Sequence, residues 1–409
     1  MIKKIALIFV VVFVSLLLIA GIGLWYIVKQ QEKLKQGELI LEKTVVTIPF
    51  DYSTSGHIII NVSVEGSKEA YPFILDSGAS NFIFKNHSDE FDLKNNGSSI
   101  GLGATGNFFM AKVKKVDKIQ IGEVKFKGLN FKEIDFGFNC SDHIYGLIGN
   151  GTMRHLNWQI DFEQKEITVS KNLKDLKFAE NAIEIPLRIN KTSSHPYAYL
   201  KFSGRKKSKK FIVDLGNSGT MSVKEKDILK DSLQIKRRKV YGKMSEGLGG
   251  ESKKKDDESI ILLDTVLFNN TTYKVQKLQA KSSSNGMNLL GLGFFKKYKT
   301  TISWSDKKMI LEPYDSIQNF IQKSRGFGMK YKKEEDKLII KSIVEKSAAS
   351  KLELPLNAEV ITLNGKDMLS ENDFCTYRNL KSTPDTLKIK FKHNSNVKEI
   401  AIPKEDLFK

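Results

Sequence analysis

The sequence predicts a mainly β protein with an N-terminal transmembrane helix, two duplicated β lobes and a smaller C-terminal α+β domain. Three observations carry that expectation. Ile5 to Val28 contain no charged residue, and about 20 apolar residues suffice for a helix to span a bilayer. A strand running into an acidic, glycine-containing turn occurs twice, as Phe73-Ile74-Leu75-Asp76-Ser77-Gly78-Ala79-Ser80 and as Phe211-Ile212-Val213-Asp214-Leu215-Gly216-Asn217-Ser218. From Val45 onward the text consists of short β-branched runs separated by glycines and charged turns, with few amphipathic helices.

The N-terminal segment comes first. Lys3 and Lys4 precede the apolar run, and Trp25 and Tyr26 stand near its far end, where an interfacial aromatic belt belongs. A cleaved signal peptide is the alternative, but the run is long for one and no small-x-small site follows. Residues 1–29 therefore read as an uncleaved single-pass anchor. Residues 30–44, polar and alternating in charge, read as a stalk. The bulk of the chain is then extracytoplasmic, periplasmic or at the cell surface.

At 409 residues, 40% hydrophobic and 28% charged, the chain has the size and composition of two or three folded domains. The net charge of +19 is mostly lysine spread along the whole length. No Arg-rich helix or aromatic-basic platform accompanies it, so no nucleic-acid partner is expected. The 2 cysteines, Cys140 and Cys375, fall in different segments and are not expected to pair. The 6 histidines are scattered, without metal-ligand spacing, so neither a metal nor a cofactor is expected.

The first lobe spans 45–178 and the second 179–316, opening at Ile183-Glu184-Ile185-Pro186. The flanks of the acidic turns repeat as well. Tyr145-Gly146-Leu147-Ile148-Gly149 and a Trp158 strand follow the first; Leu289-Leu290-Gly291-Leu292-Gly293 and a Trp304 strand follow the second. Two copies with a long period indicate a duplicated lobe and not a solenoid. Gly101, Gly103 and Gly106 mark a hairpin in the first copy that would serve as a flap over a cleft, with Phe108 or Tyr241 as flap aromatics. Apolar strands that lead straight to a carboxylate are costly unless the charge is matched. Two of them suggest carboxylates meant to face each other.

Asp-Ser-Gly-Ala-Ser behind an apolar strand, followed by an apolar-apolar-glycine element, resembles the retropepsin and pepsin clan of aspartic peptidases. The duplication resembles the two-lobed, single-chain form of that clan. The resemblance implies a catalytic dyad of Asp76 and Asp214 that hydrolyses peptide or protein substrates through an activated water. It implies that Gly78 and Gly216 let each backbone pass close to the partner lobe. Ser77 would grip the opposite loop, whereas Leu215 lacks the matching hydroxyl. Ala79 offers no hydrogen bond to the dyad, and Asn217 would offer an amide N–H. Two carboxylates in contact share one proton and titrate as a unit, and fewer hydrogen bonds to the charged form imply a less acidic optimum than that of a stomach-type enzyme. The rival expectation is a catalytically inactive, retropepsin-like peptide-binding envelope protein, with Leu215 as the mark of lost activity.

Residues 322–409 change character. A strand at Leu338–Val344, a Ser347-Ala348-Ala349 helix start and an Asn364-Gly365 turn after a strand resemble a PDZ domain of the protease-associated kind. The resemblance implies that Gly326, Phe327, Gly328 and Met329 form a loop that binds the carboxylate of a C-terminal peptide ligand. Asn357-Ala358-Glu359 departs from the Gly-Asp usual before the next strand.

Overall fold

The structure is a computed structural model that describes residues 2–65, 67, 69–137, 143–205, 207–229, 235–253, 257–269, 271–314, 325–335, 337–368, 375 and 384–408. It is mainly β, with one long helix at the N-terminus. Strand Ile58–Val64 shows how the sequence builds it. Ile58, Ile60, Val62 and Val64 alternate with more exposed residues and are all buried, the period-two pattern of a strand with one face on a core. It pairs antiparallel with Ala70–Asp76. That second strand is buried without a break from Phe73 to Asp76, because Gly146–Gly149 lies parallel on its other side, with Asp76 opposite Gly149. Its end is therefore driven into the interior.

The same topology recurs around Asp214. Pro196–Phe202 pairs antiparallel with Lys209–Asp214, which runs parallel to Leu289–Gly291 with Asp214 opposite Gly291. Beside Asp76, Phe82–Phe84 pairs antiparallel with the glycine strand and parallel with Val124–Ile134. Beside Asp214, Met221–Lys224 pairs with Leu289–Gly291 and Lys274–Ser283 in the same senses.

A six-stranded sheet joins the two halves. Its order is Ile183–Pro186, Lys308–Pro313, Tyr298–Ser303, Asn157–Asp161, Glu166–Ser170 and Val45–Pro49. Each half gives three strands, and Trp158 lies opposite Ile302 at the central seam. Both tryptophans of the repeat are buried with their indole N–H satisfied. Trp158 donates to the Met153 carbonyl at 2.8 Å and Trp304 to the Ser194 carbonyl at 2.8 Å, as buried indoles require. Asp161 and Asp306 close turns beside this sheet, accepting from Glu163 N–H and from Ser303 Oγ.

The C-terminal segment has its own core, with Leu338, Ile340, Val360, Leu387, Ile389 and Phe391 buried together. It is not detached. Lys337–Val344 pairs antiparallel with Lys236–Gly242, so the sheet of the second half continues into it. Ser347 caps the short helix Ala348–Lys351 by accepting from Ser350 N–H at 3.3 Å.

Two expectations change. Residues 30–44 are not a free stalk. The helix runs unbroken over Ile2–Lys33, Gln30 and Leu34 are buried, and Glu38–Ile40 pairs with Val124–Ile134. The reason is apolar content within a polar stretch: Leu39 and Leu41 pack on the main core. Cys375 is disulfide-bonded, against the expectation of two unpaired thiols; Cys140 lies outside the described residues. The apolar part of the helix is exposed along its length. It has the character of either a signal peptide or an anchor.

Candidate active site

The two acidic turns meet at the floor of a cleft of about 1550 Å³. Asp76 is 8% exposed and Asp214 7%, and their carboxyl groups hydrogen-bond to each other. Each turn holds its own carboxylate. Gly78 N–H donates to Asp76 Oδ1 at 2.8 Å, and Gly216 N–H donates to Asp214 Oδ1 at 3.0 Å. The glycines also cross over. A Cβ on Gly78 would overlap the carboxyl group of Asp214, and one on Gly216 would overlap that of Asp76. Only a residue without a side chain permits this approach.

Electrostatics follow from the geometry. Burial raises Asp76 to about 6, opposed by hydrogen bonds from backbone N–H groups and from Asp214. Burial and then the charge of Asp76 push Asp214 well above the usual carboxylate range. Both carboxyls are thus held above the ordinary range, and the pair shares a proton and titrates as a unit.

Ser77 bridges the halves from below. Its hydroxyl donates to the Val213 carbonyl at 2.7 Å and accepts from Leu215 N–H at 3.0 Å. A single residue therefore makes both links, and the Leu215 side chain turns into the main core instead. Asn217 differs from its expected role. Its backbone N–H donates to Asp214 Oδ1 at 3.0 Å, but its side-chain oxygen accepts from Gly219 N–H and its side-chain nitrogen makes no hydrogen bond among the described residues.

Gly101, Gly103 and Gly106 lie on the hairpin formed by Lys94–Leu102 and Phe108–Ile121. Its tip reaches across the cleft. Thr105 Oγ1 donates to the Gly250 carbonyl at 3.0 Å, and Asn107 Nδ2 donates to those of Gly249 and Glu251 at 3.0 and 2.8 Å. Gly103 packs so closely on Gly249 that a Cβ would come within 2.6 Å of its nitrogen. The aromatic that faces the cleft is Phe109, whose ring lies 6.0 Å from that of Phe82. Phe108 points the other way, because neighbouring strand residues alternate faces. Tyr241 is paired opposite Ile343 in the sheet and does not line the cleft.

The second half contributes a smaller hairpin, Glu246–Gly247 with Gly250–Glu251. The C-terminal segment holds it. Lys330 Nζ donates to the Met244 carbonyl at 2.9 Å, and Lys332 pairs with Glu246 at 2.7 Å and with Glu251 at 3.6 Å. Phe327 and Met329 line the same cleft. Gly326 pairs with Glu405 at its edge, and Gly328, with φ of 75°, accepts from Val344 N–H through its carbonyl.

Sequence reasoning passed over two cleft residues. Lys132 is buried, lines the cleft and has its ammonium 5.7 Å from the Phe82 ring centroid. Among the described residues no carboxylate pairs with it, and burial lowers it to about 8. His195 stands near it. Burial and the Lys132 charge hold its imidazole down to about 4, and the ring bonds Ser193 Oγ at 2.9 Å and the backbone of Gly78. Neither residue has a local signature, since each becomes a cleft residue only through the strand that carries it.

Residues 60–152 match the aspartyl protease family. That span holds Asp76, Ser77, Gly78 and the first hairpin, and Asp214 lies outside it. No curated protein matches the chain.

Proposed function

We propose that this chain is a membrane-anchored aspartic endopeptidase whose dyad is Asp76 and Asp214, with two duplicated lobes and a C-terminal PDZ-like domain at the rim of its cleft. One observation carries the reading: each carboxylate is buried against the other and against the glycine of the opposite turn. A mere scaffold gains nothing from two adjacent buried acids, which cost stability.

In the proposed mechanism a peptide lies extended between the floor and the two hairpins. Asp76, ionised, takes a proton from a water trapped between the turns as that water attacks the scissile carbonyl. Asp214, protonated, donates a hydrogen bond and then its proton to the carbonyl oxygen. The gem-diol intermediate collapses as the leaving nitrogen is protonated, and the dyad returns to its starting state. Ser77 keeps the turns in register while this happens. The inactive-scaffold rival leaned on Leu215; against it, Ser77 alone makes the two cross-links that a pair of hydroxyls would share. The PDZ-like unit would offer the edge of Met329–Glu334 and the Gly326–Met329 loop to an extended peptide tail.

The test is incubation of the full chain with denatured proteins, followed by sequencing of the products across pH. Cleavage is expected to be greatest near neutral pH. It should decline as pH falls below about 6, where Asp76 gains its proton, and again at high pH, where Asp214 loses its own. Absence of cleavage at every pH overturns the reading. An optimum below about pH 4, in the range of an ordinary carboxylate, overturns the assignment of protons.

Lys132 makes a second expectation concrete. Lys132→Met is expected to lower kcat/KM on peptides with Glu or Asp beside the scissile bond by about tenfold or more, the worth of a charge-assisted hydrogen bond. Peptides with Gln or Leu in that place should lose little. Equal losses on both sets would assign Lys132 a purely structural part.

A further inference from the structure

The first hairpin has two unlike faces. Phe109 and Gly101 face the cleft. On the opposite face Ile100 pairs with Met110 and Leu102 with Phe108, two apolar cross-strand pairs side by side, with Ile100 and Leu102 also reaching the cleft wall. All four are exposed, Phe108 at 75% and Met110 at 76%. Outside the N-terminal helix, the other exposed large apolar residues among the described residues, Val45, Tyr241, Leu352 and Val397, are far apart in sequence. A contiguous exposed apolar patch marks an interaction surface.

The same hairpin is fastened to the N-terminal helix. Gln31 Nε2 donates to Ser99 Oγ and to the Ile100 carbonyl, each at 3.1 Å, and Lys33 Nζ donates to the Asn96 carbonyl at 2.8 Å. A Cβ on Gly97 would come within 2.8 Å of Gln30 Oε1. The last uncharged apolar residue of the helix is Val28, about one turn, or roughly 5 Å, before Gln31. Trp25, at the level of an interfacial belt, is 61% exposed. Exposed Lys112 follows Met110 on the outer face, suited to lipid phosphates. Gln31 also lines the cleft.

We propose that the outer face of this hairpin sits in the interfacial layer of the membrane that the helix spans, so that the cleft opens at the bilayer surface and takes juxtamembrane segments of membrane-held proteins as substrates. This rests on the anchor reading above. Lipid is the occupant because the patch continues an apolar helix and is bonded to its last turn. The flap would then be wedged between bilayer and cleft, and a chain emerging from the same membrane would meet the cleft mouth without crossing open solvent.

The experiment uses the full chain in phosphatidylcholine–phosphatidylglycerol vesicles. Nitroxide labels are placed on Phe108→Cys, Met110→Cys, Leu18→Cys and Val397→Cys in separate samples, under non-reducing conditions that keep the Cys375 disulfide closed. Collisional access to oxygen and to a water-soluble nickel chelate reports depth. The labels on Phe108→Cys and Met110→Cys are expected to resemble that on Leu18→Cys, with a severalfold loss of nickel access relative to Val397→Cys. If they resemble Val397→Cys while Leu18→Cys reads as lipid-buried, the inference is overturned and the anchor stands. If Leu18→Cys reads as aqueous, or N-terminal sequencing shows the helix removed, both fall. Dipolar broadening between labels on two molecules would assign the patch to a second copy and overturn the lipid assignment.

Discussion

Asp214→Asn is expected to abolish hydrolysis and at the same time to stabilise the fold, and Asp76→Asn is expected to do the same. Loss of one member removes either the base or the acid of the dyad, which should cost at least about a thousandfold in rate. The gain in stability has a separate cause. Both carboxyls are raised by burial, and each sits against the other. In the unfolded chain an aspartate titrates near 3.9. Between that value and about 6 for Asp76 in the fold, the unfolded state sheds its proton while the folded state keeps it. Stability therefore falls as pH rises through that window, and the penalty is fully present above it. An amide carries no such penalty, so the gain at neutral pH should be on the order of 1–3 kcal/mol, allowing for sharing within the pair. Thermal unfolding of wild type and both variants on either side of the window checks it. The curves should converge at low pH and separate at neutral pH. A variant that cleaves at wild-type rate would remove its residue from the mechanism.

Gly216→Ala is the second large effect. Its methyl group would overlap the Asp76 carboxyl group, as that of Gly78→Ala would overlap Asp214. The turns must then separate, or a carboxylate must leave its place. Either response breaks the shared proton, and overpacking of a tight site costs about 1–3 kcal/mol. Both variants are expected to be inactive and less stable, in contrast to the Asn variants, which are inactive and more stable. Gly137→Ala serves as the control. A Cβ there meets nothing within 4 Å, so it should leave activity and melting temperature unchanged. The opposite direction of the two stability shifts separates removal of a charge from displacement of the backbone.

Most of what could be read in advance was local. The two Asp-x-Gly turns are written as apolar strands ending in an acid, and strand Ala70–Asp76 is buried through Asp76. The first hairpin was legible from its glycines. Misreadings occurred where a side chain depended on distant partners. Asn217 was expected to donate through its amide, yet Gly219 N–H claims the side-chain oxygen and the backbone does the donating. Phe108 was offered as a flap aromatic, but a one-residue difference in a strand reverses the face, and Phe109 is the one over Phe82. Residues 30–44 include Leu39 and Leu41, which pack on the main core, and Leu39 pairs with the distant Phe126.

The sequence by itself determined the mainly β character, the apolar N-terminal helix, the repeated acidic turns and the glycines beside them. These are set by period-two burial, by an uncharged run and by residue types that only certain backbones tolerate. Tertiary structure alone decided that the two carboxyls touch, that Ser77 makes both cross-links, that Lys132 is buried in the cleft wall with no carboxylate paired to it among the described residues, and that the C-terminal segment grips the second hairpin through Lys332. Each of these joins residues far apart in the chain. Such contacts arise from how strands stack and cross, and no local pattern of residues encodes a distance across a cleft.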